Sequence, residues 1–265
     1  MAIINGVGKV GVRVTSGAPS GGGTDVDAQA FITAASITDS TQISAINTLV
    51  TDLKNGNVWS KFLALRPFVG GNSTAHSLNL KDISKYQMSF ASGISHDSNG
   101  ITGNGNSGYA ANNFPYTDAN INSFSVGYYA KSTVINSIFY FGATAGSRIQ
   151  IYNEPNSFYW ASNSGTETYV GGQTVKNGLY VVDRNASNSK KLYRNGSVIS
   201  TDTDTSTTFP ATDLYVLARS TYSGPSLYSG GICSFFFIAS SFNTTEQTTV
   251  YNAIQKFQTT LGRQV

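Results

Sequence analysis

Ile232-Cys233-Ser234-Phe235-Phe236-Phe237-Ile238 is apolar at nearly every position, so it does not read as a strand with one face in water. An alternating strand leaves every second side chain to solvent, whereas a continuous apolar run needs cover on both faces. One cover is the opposing sheet of a sandwich. The other lies just downstream, where Asn243 and Glu246 have capping-box spacing and Val250, Ile254, Phe257 and Leu261 recur at helical intervals before Gly262. The pair predicts a C-terminal helix laid on a sheet.

Upstream, the chain repeats strand signals. Phe124, Val126 and Tyr128 alternate with Ser125, Gly127 and Tyr129, and Leu214, Val216 and Ala218 alternate with Tyr215 and Leu217. Leu192-Tyr193-Arg194-Asn195-Gly196-Ser197-Val198-Ile199 carries Asn-Gly between two apolar-containing runs, which predicts a hairpin because both residues tolerate positive φ. Before position 67 the period is helical. Val26 to Ile32 reads as one helix, and Ile43, Ile46, Val50 and Leu53 define a second, started by Asp39 and Gln42 and stopped by Gly56. Val58, Trp59, Phe62 and Leu65 extend the apolar stripe to Pro67. Residues 1–24 combine a Val10-Gly11-Val12-Arg13-Val14 alternation with a Gly- and Ser-rich linker, an arm suited either to disorder or to pairing with a neighbouring subunit. The expected organisation is an arm at 1–24, a helical section at 25–66, and a mainly β, two-sheet antiparallel sandwich at 67–265 that includes the C-terminal helix. No internal repeat of fixed period is visible.

Composition agrees with this architecture. Asp, Glu, Lys and Arg make up 12% of the 265 residues, against roughly 25% in an average domain. Neutral polar groups keep the surface wet, as suits strands joined by tight turns. A 40% hydrophobic content excludes a disordered chain, and no apolar run is long enough to span a bilayer as a helix. The net charge of +3 comes from scattered Lys and Arg, which argues against nucleic acid and against membrane insertion. The one cysteine, Cys233, excludes an intrachain disulfide and reads as a buried hydrophobe. Met1 to Gly8 lacks the basic and apolar regions of a secretory signal.

Four segments, Gly103-Asn104-Gly105-Asn106-Ser107-Gly108-Tyr109-Ala110, Phe124 to Ala130, Leu192 to Gly196 and Tyr228-Ser229-Gly230-Gly231-Ile232, resemble in order the recurring motifs of concanavalin A-like (laminin-G-like) jelly-roll domains. Asp27 to Ala35, Ala45 to Lys54, Pro67-Phe68-Val69-Gly70-Gly71 and Phe257 to Val265 are in turn similar to a family of virion structural proteins of bacteriophages from Bacteroidetes-type hosts. That resemblance covers almost the whole chain. It implies a non-enzymatic tail, fibre or capsid-surface component, located in the virion, assembled in the host cytoplasm and exposed after release. It further implies contacts to other virion proteins through the arm, a homo-oligomer such as a trimer, and a host-surface glycan as a possible ligand.

The search for chemistry assigns no catalytic, cofactor-binding or metal-binding residue. A glycosidase needs two carboxylates at a set separation. The glutamates are Glu154, Glu167 and Glu246, the last read as a helix cap, and the Glu-x-Asp-x-x-Glu strand motif of jelly-roll glycosidases is absent. A polysaccharide-cleaving enzyme is thus the weaker alternative. His76 and His96 fit no metal spacing and read as surface or turn residues. Gly103-x-Gly105-x-x-Gly108 has the form of a dinucleotide fingerprint without the helix it must open. Asp202-Thr203-Asp204-Thr205-Ser206 has the alternating oxygens of a calcium loop, but Thr207 stands where an EF-hand requires Gly, so a polar loop is favoured over a calcium-dependent lectin. In Ser157-Phe158-Tyr159-Trp160-Ala161, Phe158 and Trp160 share one strand face and Tyr159 takes the other. Either face could be the outer one, and exposed aromatics there would suit sugar stacking.

Overall fold

A computed structural model of the chain describes residues 23–132, 138–172 and 177–265. Residues 1–22 of the arm, with the expected edge pairing, fall outside the described residues. In chain order the elements begin with α1 (Val26–Ala34), α2 (Ser40–Asn55), β1 (Phe62–Arg66), α3 (Ser73–Ser77), β2 (Ser89–Phe90), β3 (Ile94–Asp97), β4 (Gly100–Gly103) and β5 (Ala110–Ala111). The long strands follow: β6 (Phe124–Ser132), β7 (Ile138–Ala145), β8 (Ser147–Glu154), β9 (Ser157–Ser164), β10 (Thr168–Gly171), β11 (Gly178–Ala186), β12 (Ser189–Arg194) and β13 (Ser197–Asp202). Short β14 (Tyr215–Val216), β15 (Arg219–Thr221) and β16 (Gly224–Ser226) lead to β17 (Ile232–Ala239) and α4 (Thr244–Thr260).

Two sheets make a jelly-roll-type sandwich. The first runs β13-β12-β11-β6-β17-β4-β3, with β1 also on β17; the second runs β10-β9-β8-β7-β14-β5-β2, with the β15–β16 hairpin joined to β7. Among the described residues all strand pairings are antiparallel except β15 with β7. The decisive stretch is the central strand β17, flanked by β6 on one edge and by β4 and β1 on the other. Phe236 and Ile238 enter the inter-sheet core with Val126, Tyr128, Ile149, Ile151 and Trp160. Phe235 and Phe237 face the helices instead, against Val250, Ile254 and Phe257 of α4 and the apolar faces of α1 and α2. A bulge between Cys233 and Phe235 adds one residue, which lets Cys233 and Phe236 share the inter-sheet face although an odd number of positions separates them.

Caps behave largely as the sequence predicts. Asn243 and Glu246 form a reciprocal capping box. Asp39 caps α2 by accepting from Gln42 N, but the Gln42 side chain accepts from Gly70 N at 2.8 Å rather than closing the box. Asn195 and Gly196 take φ of 49° and 76° and turn β12 into β13. The segments 67–71 and 257–265 meet through buried Arg263, which donates to the carbonyls of Pro67 and Phe68 at 3.0 and 2.9 Å.

Two expectations need correction. Residues 62–66 are not part of a helical section; after a 3-10 turn at Trp59–Lys61 they form β1 on β17. Phe62 and Leu65 both face the helices because a register shift between Phe62 and Ala64 inserts an extra residue, which imitates helical spacing in a strand. Leu214 to Ala218 is likewise not one alternating strand. Leu217 has φ of 65° and turns the chain there, so Tyr215 pairs antiparallel and Arg219 parallel with the same residue, Gly142.

Candidate functional site: the open face of the second sheet

The helical layer covers one outer face, on the first sheet. On the second sheet, strand alternation decides what the other outer face presents. In β8, Ile149, Ile151 and Asn153 point into the sandwich, and Arg148, Gln150, Tyr152 and Glu154 point out. In β9, Phe158 and Trp160 pack in the core and Tyr159 faces outward, which settles the choice the sequence left open.

Register then lines up the outward aromatics. Phe139 is opposite Tyr152, Tyr152 opposite Tyr159, and Tyr159 opposite Tyr169. Ring centroids step across β7 to β10 by 4.6, 4.8 and 5.2 Å, with Tyr152 and Tyr159 stacked 4° from parallel and Tyr169 tilted by 54°. Arg219 closes the β7 end of the row, its guanidinium 5.4 Å from the Phe139 ring centre. The row flanks a cleft of about 460 Å³ whose polar lining includes Arg148, Gln150, Glu154, Glu167 and Arg219.

Glu167 organises that lining. Its carboxylate accepts from Gln150 Nε2 at 2.7 Å and from the Tyr152 hydroxyl at 3.2 Å. Burial, reinforced by the Glu167 charge, pushes the Tyr152 phenol well above its ordinary range, so it stays a neutral donor. Thr168 pairs with Trp160 and Gln150 with Ala161, so Glu167 reaches β8 from beyond β9 by passing over the small side chain of Ala161. The Gln150 amide is almost fully buried, and with its nitrogen committed to Glu167 its Oε1 has no partner among the described residues. Two arginines and two glutamates balance in charge. Planar polar groups beside aromatic rings are equipped to read hydroxyls while apolar ring surface meets C–H groups.

The other residues weighed from sequence fall elsewhere. Glu154 and Glu167, unpromising as a pair in sequence, line this one cleft, because the β8–β9–β10 register joins positions that no short motif links. Glu246 stays with its cap. His76 and His96 are not simply surface residues: His76 is buried in α3, its Nδ1 3.0 Å from His96 Nδ1 and its ring 5.6 Å from that of Phe68. Burial, with His96 and Arg263 nearby, lowers His76 to about 3, so it stays neutral. Asp202 and Asp204 are engaged by a cation the protein itself provides. Buried Lys190 Nζ lies 3.6 Å from Asp202 and 3.1 Å from Asp204, and 5.1 Å from the Trp160 ring centre. The Thr168 and Thr166 hydroxyls bond the same two carboxylates. Gly103 to Gly108 forms a loop in which Asn104 Oδ1 accepts from three successive backbone N–H groups, 106 to 108, and no helix follows. Cys233 is buried, and burial drives its thiol far up.

No protein-family model matches the chain, and no curated protein sequence does. Solved structures share its fold. A Trypanosoma rangeli sialidase in complex with 2,3-difluorosialic acid superposes with a TM-score of 0.54 at 11% identity, over 79% of this chain and 39% of the sialidase. The botulinum neurotoxin serotype D binding domain gives 0.52 at 12% identity, over 73% of this chain and 52% of that one. Botulinum neurotoxin type C, whose way into cells depends on interaction with two ganglioside molecules, gives 0.52 at 12% identity over 75% and 53%. The chain thus spans about two fifths of the sialidase and half of the toxin chains. At these identities the likeness is one of fold, and it places the chain among mainly β, jelly-roll-type sandwiches.

Proposed function

We propose that this protein is a non-enzymatic carbohydrate-binding component of a bacteriophage particle, and that the open face of the second sheet is its glycan site. The observation that carries the glycan reading is the Glu167–Gln150–Tyr152 network, with its unspent buried Gln150 acceptor beside a row of aromatic rings. Such a pairing of fixed polar groups with apolar ring surface matches a sugar, which offers hydroxyls at its rim and C–H groups on its faces. The ganglioside-dependent toxin and the sialidase, similar in fold, agree with a saccharide ligand. The virion placement rests on the segments at 27–35, 45–54, 67–71 and 257–265 that resemble phage structural proteins.

Binding of the purified protein to a printed array of neutral and acidic glycans tests the ligand class. Saccharide binding by the parent that falls at least tenfold in Glu167→Ala supports the site. Binding unchanged in that variant moves the site elsewhere on the surface. Immunogold labelling of purified particles tests the placement, and unlabelled particles would refute it.

One observation favours a second reading. Because Glu154 and Glu167 share the cleft, the polysaccharide-cleaving alternative acquires a carboxylate pair. Release of reducing ends from a bound polysaccharide, abolished in Glu154→Gln, would establish it.

A further inference from the structure

The rings of the aromatic row are not equivalent. Tyr152 and Tyr159 turn their faces to each other, and Phe139, fully buried, has the Arg219 guanidinium over it. Those rings offer an approaching sugar mainly edges and hydroxyls. Tyr169 differs: it is 60% exposed and stands on β10, the last strand of its sheet. Its ring lies along the strand over Gly171, where an added Cβ would come within 2.6 Å of the phenol oxygen and 2.9 Å of Cε1 and Cζ. Gly171 therefore acts as a recess that receives the hydroxyl end of the ring, and the exposed side chain stands open to solvent at the sheet edge. Tyr169 touches Tyr159 at a tilt and does not stack on it.

We infer that Tyr169 is a stacking subsite for a second pyranose ring, and that the ligand is an oligosaccharide running across the strands from the Glu167 cleft to the sheet edge. This rests on the glycan reading of that cleft. Tyr169 is two strand spacings, about 10 Å, from Tyr152, too far for one sugar ring to meet both the polar network and the platform. The division of labour follows from chemistry. Glu167, Gln150 and Tyr152 fix hydroxyls of one unit through directional hydrogen bonds, and Tyr169 accepts the apolar face of a later unit, which is tolerant of its substituents. Binding by such a site strengthens with chain length until the platform is filled.

Calorimetric titration with a size series, from single sugars to hexasaccharides of the best-bound array glycan, tests this on the parent protein, Tyr169→Ala, Tyr169→Phe and Tyr152→Phe. The expected result is about a tenfold gain in parent affinity from the single sugar to the longer members. Tyr169→Ala should lose that gain and keep the single-sugar affinity. Tyr169→Phe, which retains the ring, should keep both. If Tyr169→Ala shows the parental length dependence while Tyr152→Phe weakens every length, the platform is refuted and the glycan site stands. A parent protein that binds no member of the array refutes both.

Discussion

Phe237 pairs in register with Gly127, and its ring fills the volume that any side chain at position 127 would need. A Cβ placed on Gly127 falls 2.0 Å from Phe237 Cε1. The glycine in the middle of β6 is thus a steric requirement of the helix-facing core, since its φ needs no special freedom. Gly127→Ala should cost about 2–3 kcal/mol through overpacking. Phe237→Ala should cost about 3–5 kcal/mol through the cavity it leaves. Combining them relieves the clash, so urea unfolding of the double variant should show a loss clearly smaller than the sum. Strict additivity would mean the two residues do not compete for space.

Asp183 gives the fold a pH dependence of defined sign. It is fully buried on β11, with Oδ1 accepting from the Ser125 hydroxyl and from Phe242 N, and Oδ2 without a partner among the described residues. Burial raises it to about 6 from 3.8, and the hydrogen bonds and the Lys191 and Lys61 charges only partly offset this. Below about pH 4 both folded and unfolded chains hold the proton. Between about 4 and 6 the unfolded chain releases it and the folded chain does not, so stability falls as pH rises, and above about 6 the deficit is constant. The gap corresponds to about 3 kcal/mol. Asp183→Asn keeps the acceptor and removes the charge, so it should stabilise the protein at neutral pH and leave it little changed near pH 4. Equal effects of the substitution at both pH values, read from urea midpoints, would show that Asp183 is not the titrating group.

The helical layer and the sheet beneath it were legible in sequence for a simple reason: β17 lacks a polar face, and α4 supplies an apolar stripe with a capping box to cover it. The hairpin at Asn195-Gly196 was equally plain, since few residue pairs accept positive φ twice. Bulges hid the rest. The extra residue at the start of β1 made Phe62 and Leu65 look helical, and Leu217 broke a strand whose alternation appeared continuous. The site was illegible for a different cause. Arg148, Gln150, Tyr152 and Glu154 have the alternation of any solvent-facing strand, and their meeting with Glu167 and Tyr159 depends on the pairing of β8, β9 and β10, which local spacing does not encode.

Lys190 acts as the internal counter-ion of Asp202 and Asp204. Lys190→Met fills a similar volume but removes the ammonium from over the Trp160 ring and leaves two neighbouring carboxylates without their counter-ion, and should lower stability by about 2 kcal/mol, less than a fully buried pair would lose because Asp204 is partly exposed. The same geometry predicts that millimolar calcium leaves the melting temperature of the parent protein unchanged, because a cation already holds both carboxylates. A rise in melting temperature with calcium would show that the ion displaces Lys190.

Ala161 is the test of whether the polar network is built by packing. It is fully buried although it lies on the outward face of β9, opposite Gln150, and Glu167 passes over it to reach β8. A larger side chain there blocks the path of Glu167 and, being on the outward face, stays out of the inter-sheet core. Ala161→Leu should therefore fold with a melting temperature within a few degrees of the parent, as expected for a change of about 1 kcal/mol in a chain of this size. With Glu167 displaced, the Tyr152 phenol loses its acceptor and the neighbouring charge that helps to raise it, so its spectrophotometric titration should move toward the ordinary tyrosine range. Saccharide binding should fall as far as in Glu167→Ala, since both variants remove the same carboxylate from the cleft. A phenol titration as high as in the parent, with undiminished binding, would mean that Glu167 reaches Gln150 and Tyr152 by another path, and that Ala161 is small for reasons of packing alone.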